Sequence, residues 1–192
     1  MLTTSNETFH GAQRPERGNM AKWKLFTIVA LCAVVIIAVM IFCFSAQQGE
    51  DSSALSRKIT MFIIRTFHLD IEDMTPAEWA AFKRSLDHVV RKVAHFTEYA
   101  MLGLAMTAFL GSTQRFGLGV KLAILSFVLC ALYAVGDEIH QRFVVDRGPA
   151  ALDVLIDSAG ALGGDLLGLV LYRRHERRKA GRMAQAKLTE QN

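Results

Sequence analysis

A long apolar stretch, WKLFTIVALCAVVIIAVMIFCF at residues 23–44, contains no charged side chain after Lys24. A helix needs about 20 apolar residues to cross the hydrocarbon layer of a bilayer, so this stretch predicts a membrane span. The run is too long for the hydrophobic region of a signal peptide, and Phe44 before Ser45-Ala46 spoils the small-residue pattern of a cleavage site. We therefore predict a helix that is retained in the mature protein.

Three further apolar stretches follow, at residues 92–110, 120–140 and 151–172. The links between them, 111–119 and 141–150, contain glycine or proline, which is typical of tight turns between helices. The whole chain of 192 residues is 52% hydrophobic with a mean hydropathy of +0.26, which is too apolar for an ordinary soluble domain. The sequence predicts an all-α fold, a bundle of four transmembrane helices.

Basic residues favour the cytoplasmic side of a membrane when they lie in short loops and tails. They are concentrated before the first span, around the 111–119 link and in the tail, so we predict that all three are cytoplasmic. The chain then divides into an N-terminal segment at 1–22, expected to be disordered, a membrane domain at 23–172 and a basic tail at 173–192. The charge of the tail suits an anionic membrane surface better than nucleic acid, so we expect no nucleic-acid partner.

Residues 45–91, which join the first two spans on the outward side of this topology, have helical patterns of their own. Apolar residues recur at helical spacing from Leu55 to Phe67, which indicates an amphipathic helix at the membrane interface. Further on, Thr75-Pro76-Ala77-Glu78 combines a capping box with a proline at the first helical position. We expect a helix to begin there and to run into the second span.

Ionisable side chains interrupt the last three spans, where they are costly unless they face a protein interior or a water-filled cavity. At a rise of about 1.5 Å per residue, seven of these side chains fall within roughly two turns of the outward end of their span. The three spans therefore put their polar residues at one depth, near the outer leaflet. They are His95 and Glu98 in the second span, Asp137, Glu138 and His140 in the third, and Asp153 and Asp157 in the fourth.

The fourth span also carries a small-residue pattern below its two aspartates. Gly160, Gly164 and Gly168 follow Asp157 at intervals that keep them on one helical face. Such a pattern allows the backbones of two membrane helices to approach closely. We therefore expect this face of the fourth span to press against its neighbours.

Four separated motifs carry a family resemblance, and they occur in order along the chain. They are Phe44-Ser45-Ala46-Gln47, Arg91-Lys92-Val93-Ala94-His95-Phe96-Thr97-Glu98-Tyr99, Asp137-Glu138-Ile139-His140-Gln141-Arg142-Phe143, and Arg147 followed by Asp153-Val154-Leu155-Ile156-Asp157. Over residues 42–168 the chain resembles the VanZ-like membrane proteins. The resemblance implies a bacterial inner-membrane protein with a polar, outward-facing site, and the founding member of that family is associated with glycopeptide resistance, chiefly to teicoplanin.

The chain departs from the family pattern in the outward link between the third and fourth spans. Asp146 precedes Arg147 where a glycine is usual, and Pro149 falls in a stretch that is usually rich in serine and glycine. We therefore expect this link to have a shape of its own. The terminal segments lie outside the resemblance and inherit nothing from it.

The first functional hypothesis is binding, in which the polar site recognises a lipid headgroup or a lipid-linked envelope precursor. Basic side chains at the headgroup level would hold an anionic group. Membrane lipids and lipid-linked precursors are then the expected partners. The candidate binding residues are Arg91, Lys92, Tyr99, Gln141, Arg147, Asp153 and Asp157.

The second hypothesis is an enzyme that modifies such a component, as a hydrolase or transferase acting on a phosphate-bearing lipid. A divalent metal would be its cofactor, since a bound ion can activate water or clamp a phosphate. No Ser-His-Asp set, P-loop or HExxH motif supports a narrower class. The catalytic candidates are His95, Glu98, Asp137, Glu138 and His140, and the metal-ligand candidates are His95, Glu98, Glu138 and His140.

Two further alternatives stay open on the sequence alone. The charged residues could form an ion-paired network that only locks the helices together. A transporter is the other alternative, because carboxylates and histidines can relay protons. Transport needs polar groups near the middle of the membrane, and we expect the inner half of the spans to be apolar.

Overall fold

The computed structural model describes residues 17–46, 49–67, 74–113, 120–143 and 151–190, and every regular element within these ranges is an α-helix. Four of the helices are long and apolar enough to cross a membrane, which confirms the predicted all-α bundle. The second helix along the chain, which follows the first span, is not among these four. The helices are α1 (Arg17–Ser45), α2 (Gly49–Thr66), α3 (Pro76–Ser112), α4 (Val120–Gln141) and α5 (Ala151–Glu190).

The first and last helices extend past the spans expected from hydropathy. Helix α1 begins at Arg17, inside the segment predicted to be disordered, and residues 1–16 of that segment lie outside the described ranges. Helix α5 continues through the basic tail to Glu190. Arginine, lysine, alanine, glutamine and methionine dominate that extension, and all of them favour helices.

The surface of the bundle is apolar along the spans. In α1, Leu25, Ile28 and Ile36 are each more than half exposed, whereas Ile41 is fully buried. Similar exposed side chains, such as Leu132 and Leu155, lie on α4 and α5. An apolar surface of this extent is unfavourable in water and suits contact with lipid.

Helices α3 and α5 form the most extensive contact in the bundle. A Cβ atom added at Gly160 or Gly164 of α5 would overlap a backbone carbonyl oxygen of α3, and one added at Gly103 of α3 would overlap a carbonyl of α5. The helices therefore approach to backbone contact, as the small-residue pattern predicted. This contact fixes the depth and rotation of the polar residues on α3 relative to those on α5.

The core between the spans is small and is shared by four helices. Its buried residues include Ile41 from α1, Tyr99 from α3, Cys130 from α4 and Ala161 from α5. Lipid is as apolar as these side chains, so close packing, rather than removal from water, holds the helices together here. The polar site lies at one end of this core.

Helix α2 covers the N-terminal part of α3. Thr60 and Ile64 are buried, while Phe62 is largely exposed, so the predicted amphipathic helix is present. The Thr60 hydroxyl donates a hydrogen bond of 2.6 Å to Asp87 of α3. At the start of α3 both hydrogen bonds of the Thr75 capping box are formed, and the helix runs without a break into the second span, as expected.

Candidate functional site

Three helices bring one polar side chain each to a common point. One potential ligand atom from each of His95 on α3, Asp137 on α4 and Asp157 on α5 lies within 4.8 Å of the other two. The two aspartates are each only 5% exposed, and His95 is half-buried. We call these three residues the polar cluster. Each was a candidate on sequence grounds, but their grouping depends on how the helices are rotated.

Asp137 is held in place by hydrogen bonds to one of its oxygens. Ser45, the last residue of α1, donates to Oδ2 at 2.7 Å, and the Gln141 side chain donates to the same atom at 2.9 Å. Gln141 also donates to the Ser45 hydroxyl at 3.0 Å. The other oxygen, Oδ1, is buried and accepts no hydrogen bond from the described part of the chain. The carboxylate is thus oriented through Oδ2, and its Oδ1 is placed to accept a bond from a ligand.

Glu98 lies beside the polar cluster, one turn along α3 from His95. Its Oε2 is 3.8 Å from Nδ1 of His95, which is ion-pair distance if the imidazole is charged and too long for a hydrogen bond. Asp157 also has a buried oxygen, Oδ1, with no hydrogen-bond partner among the residues that the structure describes. Buried polar atoms are normally satisfied, so these oxygens point to a ligand or a bound proton.

Basic side chains lie one turn before the polar cluster along α3, toward the N-terminus of that helix. Lys92 Nζ is 2.6 Å from Asp153 Oδ1, which pairs α3 with α5 just before His95 and Asp157 on the same two helices. Arg91 is half-buried, and its Nε has no hydrogen-bond partner within the described ranges. Arg147 and the departures at Asp146 and Pro149 lie outside the described residues.

The other sequence candidates lie around the polar cluster rather than in it. The ring of His140 packs against Phe42 of α1, with centroids 4.6 Å apart. Tyr99 is fully buried and lies against Tyr133, at a centroid distance of 6.2 Å. Glu138 is buried, and Gln141 is engaged with Asp137 and Ser45.

A second buried carboxylate, which the sequence argument missed, lies deeper in the bundle. Asp165 of α5 is fully buried, and its Oδ1 accepts hydrogen bonds from Thr107 at 2.8 Å and Ser126 at 2.6 Å. It follows Asp157 by eight residues, about 12 Å along the helix. The expectation that the inner half of the spans is apolar was therefore wrong. The position of Asp165 two turns below Asp157, on the same helical face, was the pattern that could have revealed it.

The polar cluster and the Asp165 group are separated by apolar core residues. Ala161 lies between Asp157 and Asp165 on α5, and Cys130 lies between Ser126 and Asp137 on α4. Both core residues are fully buried. The polar cluster can therefore act as a site of its own, with imidazole and carboxylate groups suited to holding a cation or moving a proton.

Comparison with known protein families gives a match over most of the chain. A family model described as VanZ/LLP1 matches residues 28–173, about three quarters of the chain. The matched range contains the polar cluster, Ser45, Lys92 and Asp165. No curated protein and no solved structure matches the chain.

Proposed function

The chain belongs to the VanZ/LLP1 family, and from this membership and the geometry of the polar cluster we propose that it binds an anionic, phosphate-bearing lipid of the cell envelope. In this proposal the chain lies in the inner membrane of a bacterium with both termini in the cytoplasm. The polar cluster then opens toward the outer leaflet, at the depth of lipid headgroups. A lipid-linked envelope precursor has its phosphate at this depth.

The observation that carries the proposal is the arrangement of Arg91 and Lys92 beside the polar cluster. Lys92 lies where α3 and α5 are in contact, and it forms an ion pair there with Asp153. The buried Nε of Arg91 lacks an acceptor among the described residues. A buried donor without an acceptor costs about 1–3 kcal/mol, which a phosphate oxygen would relieve. Arginine is also the side chain best suited to hold a phosphate through two hydrogen bonds.

A second candidate function is chemical modification of the same lipid, by a metal-dependent hydrolase or transferase. It is favoured by the separation of at most 4.8 Å between the ligand atoms of His95, Asp137 and Asp157. A divalent ion at such a point can polarise a phosphoryl oxygen or activate water. Glu98, which lies beside His95 and outside this ligand set, would then be the group that holds or moves a proton near the reacting atoms.

The family resemblance adds a physiological consequence to the proposal. Binding or altering a lipid-linked precursor at the outer leaflet would change its exposure to glycopeptides of the teicoplanin type. We therefore expect cells that carry the intact polar cluster to differ in teicoplanin susceptibility from cells that carry a cluster variant. A purely structural role for the same ion pairs predicts no difference at equal protein levels.

The test is native mass spectrometry of gently extracted protein, with Arg91→Gln compared against Lys121→Gln. Lys121 is exposed at the other end of the bundle, so its loss changes the net charge equally without touching the site. We expect wild type and Lys121→Gln to retain phosphate-bearing lipid above its share of the membrane, and Arg91→Gln to retain about tenfold less. Equal retention by the two variants, or no enrichment in wild type, would contradict the proposal.

A further inference from the structure

The polar cluster has the composition and spacing of a metal centre. We propose that His95, Asp137 and Asp157 bind one divalent cation of the Mn²⁺ or Zn²⁺ type. The inference deepens the proposed function, and it rests on that function only for the lipid phosphate that the ion would hold. The ion itself would bind whether or not lipid is present.

The spacing of the three side chains is close to that of a first coordination shell. One ligand atom from each residue lies within 4.8 Å of the others. Metal–nitrogen and metal–oxygen bonds of about 2.1 Å put neighbouring ligand atoms of a tetrahedral site about 3.4 Å apart. The side chains therefore need to close by at most about 1.4 Å when the ion binds. Each ligand comes from a different helix, so the ion would also join α3, α4 and α5.

The electrostatics of the site favour a cation. Asp137 and Asp157 are almost completely buried and lie close together, and neither has a lysine or arginine in ion-pair contact within the described residues. The ammonium group of Lys92 is engaged with Asp153. Two unpaired carboxylates are costly to bury, and a divalent cation between them removes the repulsion and the unpaired charge together.

The surrounding side chains orient the ligands as the outer shell of a metal site does. Ser45 and Gln141 hold Oδ2 of Asp137, which has Oδ1 left for the ion. Glu98 faces Nδ1 of His95 at 3.8 Å, so we assign Nε2 to the metal. Metal-bound histidines commonly hydrogen-bond their second ring nitrogen to a carboxylate, and Glu98 is the carboxylate placed to approach Nδ1.

The donor set selects the class of ion. Mg²⁺ and Ca²⁺ favour all-oxygen sites, whereas thiolates select softer metals. One imidazole with two carboxylates lies between these cases and suits Mn²⁺ or Zn²⁺. Three protein ligands leave coordination positions open, and a phosphate oxygen can occupy one of them. The ion thus explains how a cluster with two buried carboxylates could attract an anionic headgroup.

The experiment is a Mn²⁺ titration of the purified full-length protein in detergent, after removal of metal with a chelator. Electron paramagnetic resonance reports the free ion, and Zn²⁺ is then used as a competitor. The variants are His95→Gln and Asp157→Asn, and the matched control is Asp87→Asn. Asp87 lies on α3, two turns before His95, and its substitution loses the same charge outside the polar cluster.

We expect one Mn²⁺ per chain in wild type and in Asp87→Asn, with at least tenfold weaker binding in His95→Gln and Asp157→Asn. Gel filtration and circular dichroism identify any variant that fails to fold, in which case Asp137→Asn replaces it. No saturable Mn²⁺ or Zn²⁺ binding by wild type would overturn the inference. Equal weakening in Asp87→Asn would also overturn it, since it would show only a general attraction of the cation to negative charge.

The outcomes separate this inference from the proposed function. If wild type binds no Mn²⁺ or Zn²⁺ but still retains phosphate-bearing lipid in the Arg91-dependent manner, the lipid proposal holds and the metal proposal fails. If wild type binds Mn²⁺ through His95 and Asp157 but enriches no lipid, the metal proposal holds and the lipid proposal fails.

Discussion

Ser45 donates a hydrogen bond of 2.7 Å to Asp137, and this contact joins the last residue of α1 to the C-terminal end of α4. Both residues are buried, with Ser45 fully inaccessible. Helix α1 is otherwise largely apolar on its surface, so its polar contribution to the site is concentrated at this point. The hydrogen bond fixes the rotamer of Asp137 and therefore the shape of the polar cluster.

Ser45→Ala should lower the stability of the protein and loosen the polar cluster. The substitution removes a donor from a buried carboxylate, and we expect a loss of about 1–2 kcal/mol in the free energy of unfolding. Thermal unfolding in detergent measures the effect. Thr27→Ala is the control, because Thr27 lies on the same helix and its hydroxyl bonds only to the backbone of Trp23. Equal unfolding temperatures for the two variants would show that the Ser45 contact is unimportant.

The close approach of α3 and α5 predicts opposite outcomes for two adjacent glycines. A Cβ at Gly164 would overlap the carbonyl oxygen of Ala100, whereas a Cβ at Gly163 meets no atom within 4 Å. We expect Gly164→Ala to reduce the yield and thermal stability of folded protein sharply. Gly163→Ala should be neutral or slightly stabilising, by up to about 1 kcal/mol, because alanine favours helices. Similar stabilities for the two variants would contradict the packing described for these helices.

The Asp165 group predicts coupling between two substitutions. Ser126→Ala removes one of the two hydroxyls that donate to Asp165 Oδ1, and it leaves the carboxylate under-satisfied. We expect Ser126→Ala to cost about 1–3 kcal/mol in wild type and clearly less in an Asp165→Asn background. A double-mutant cycle based on unfolding in detergent measures this difference. Strictly additive effects would mean that the hydroxyl and the carboxylate do not act together.

Sequence periodicity predicted the elements well because membrane spans and helix caps are local features. The apolar run at 23–44 and the Thr75–Glu78 capping box each contain the information for their own helix. Periodicity also gave the shared depth of the polar residues. It could not give the rotation of one helix against another, which decides that Asp137 reaches His95 while His140 packs on Phe42. Asp165 was missed because its partners, Thr107 and Ser126, come from distant apolar runs.

The predicted topology can be tested by cysteine labelling in intact cells. His88 is exposed on the outward part of α3, and Arg178 is exposed in the tail of α5. In a background with the three native cysteines replaced by alanine, an impermeant maleimide should label His88→Cys directly. It should label Arg178→Cys only after the membrane is permeabilised. The reverse pattern would place the polar cluster on the cytoplasmic side and would contradict the proposed access to the outer leaflet.

Lys92 separates a binding role from a structural one. Its ion pair with Asp153 is partly exposed, with 27% and 35% of the two side chains accessible, so it should contribute at most about 1 kcal/mol to stability. We therefore expect Lys92→Gln to change the unfolding temperature little but to reduce the retention of phosphate-bearing lipid severalfold. Lys83→Gln, nearer the N-terminus of α3, is the control for general charge. If Lys92→Gln lowers stability strongly and leaves lipid retention unchanged, the pair serves to hold α3 against α5.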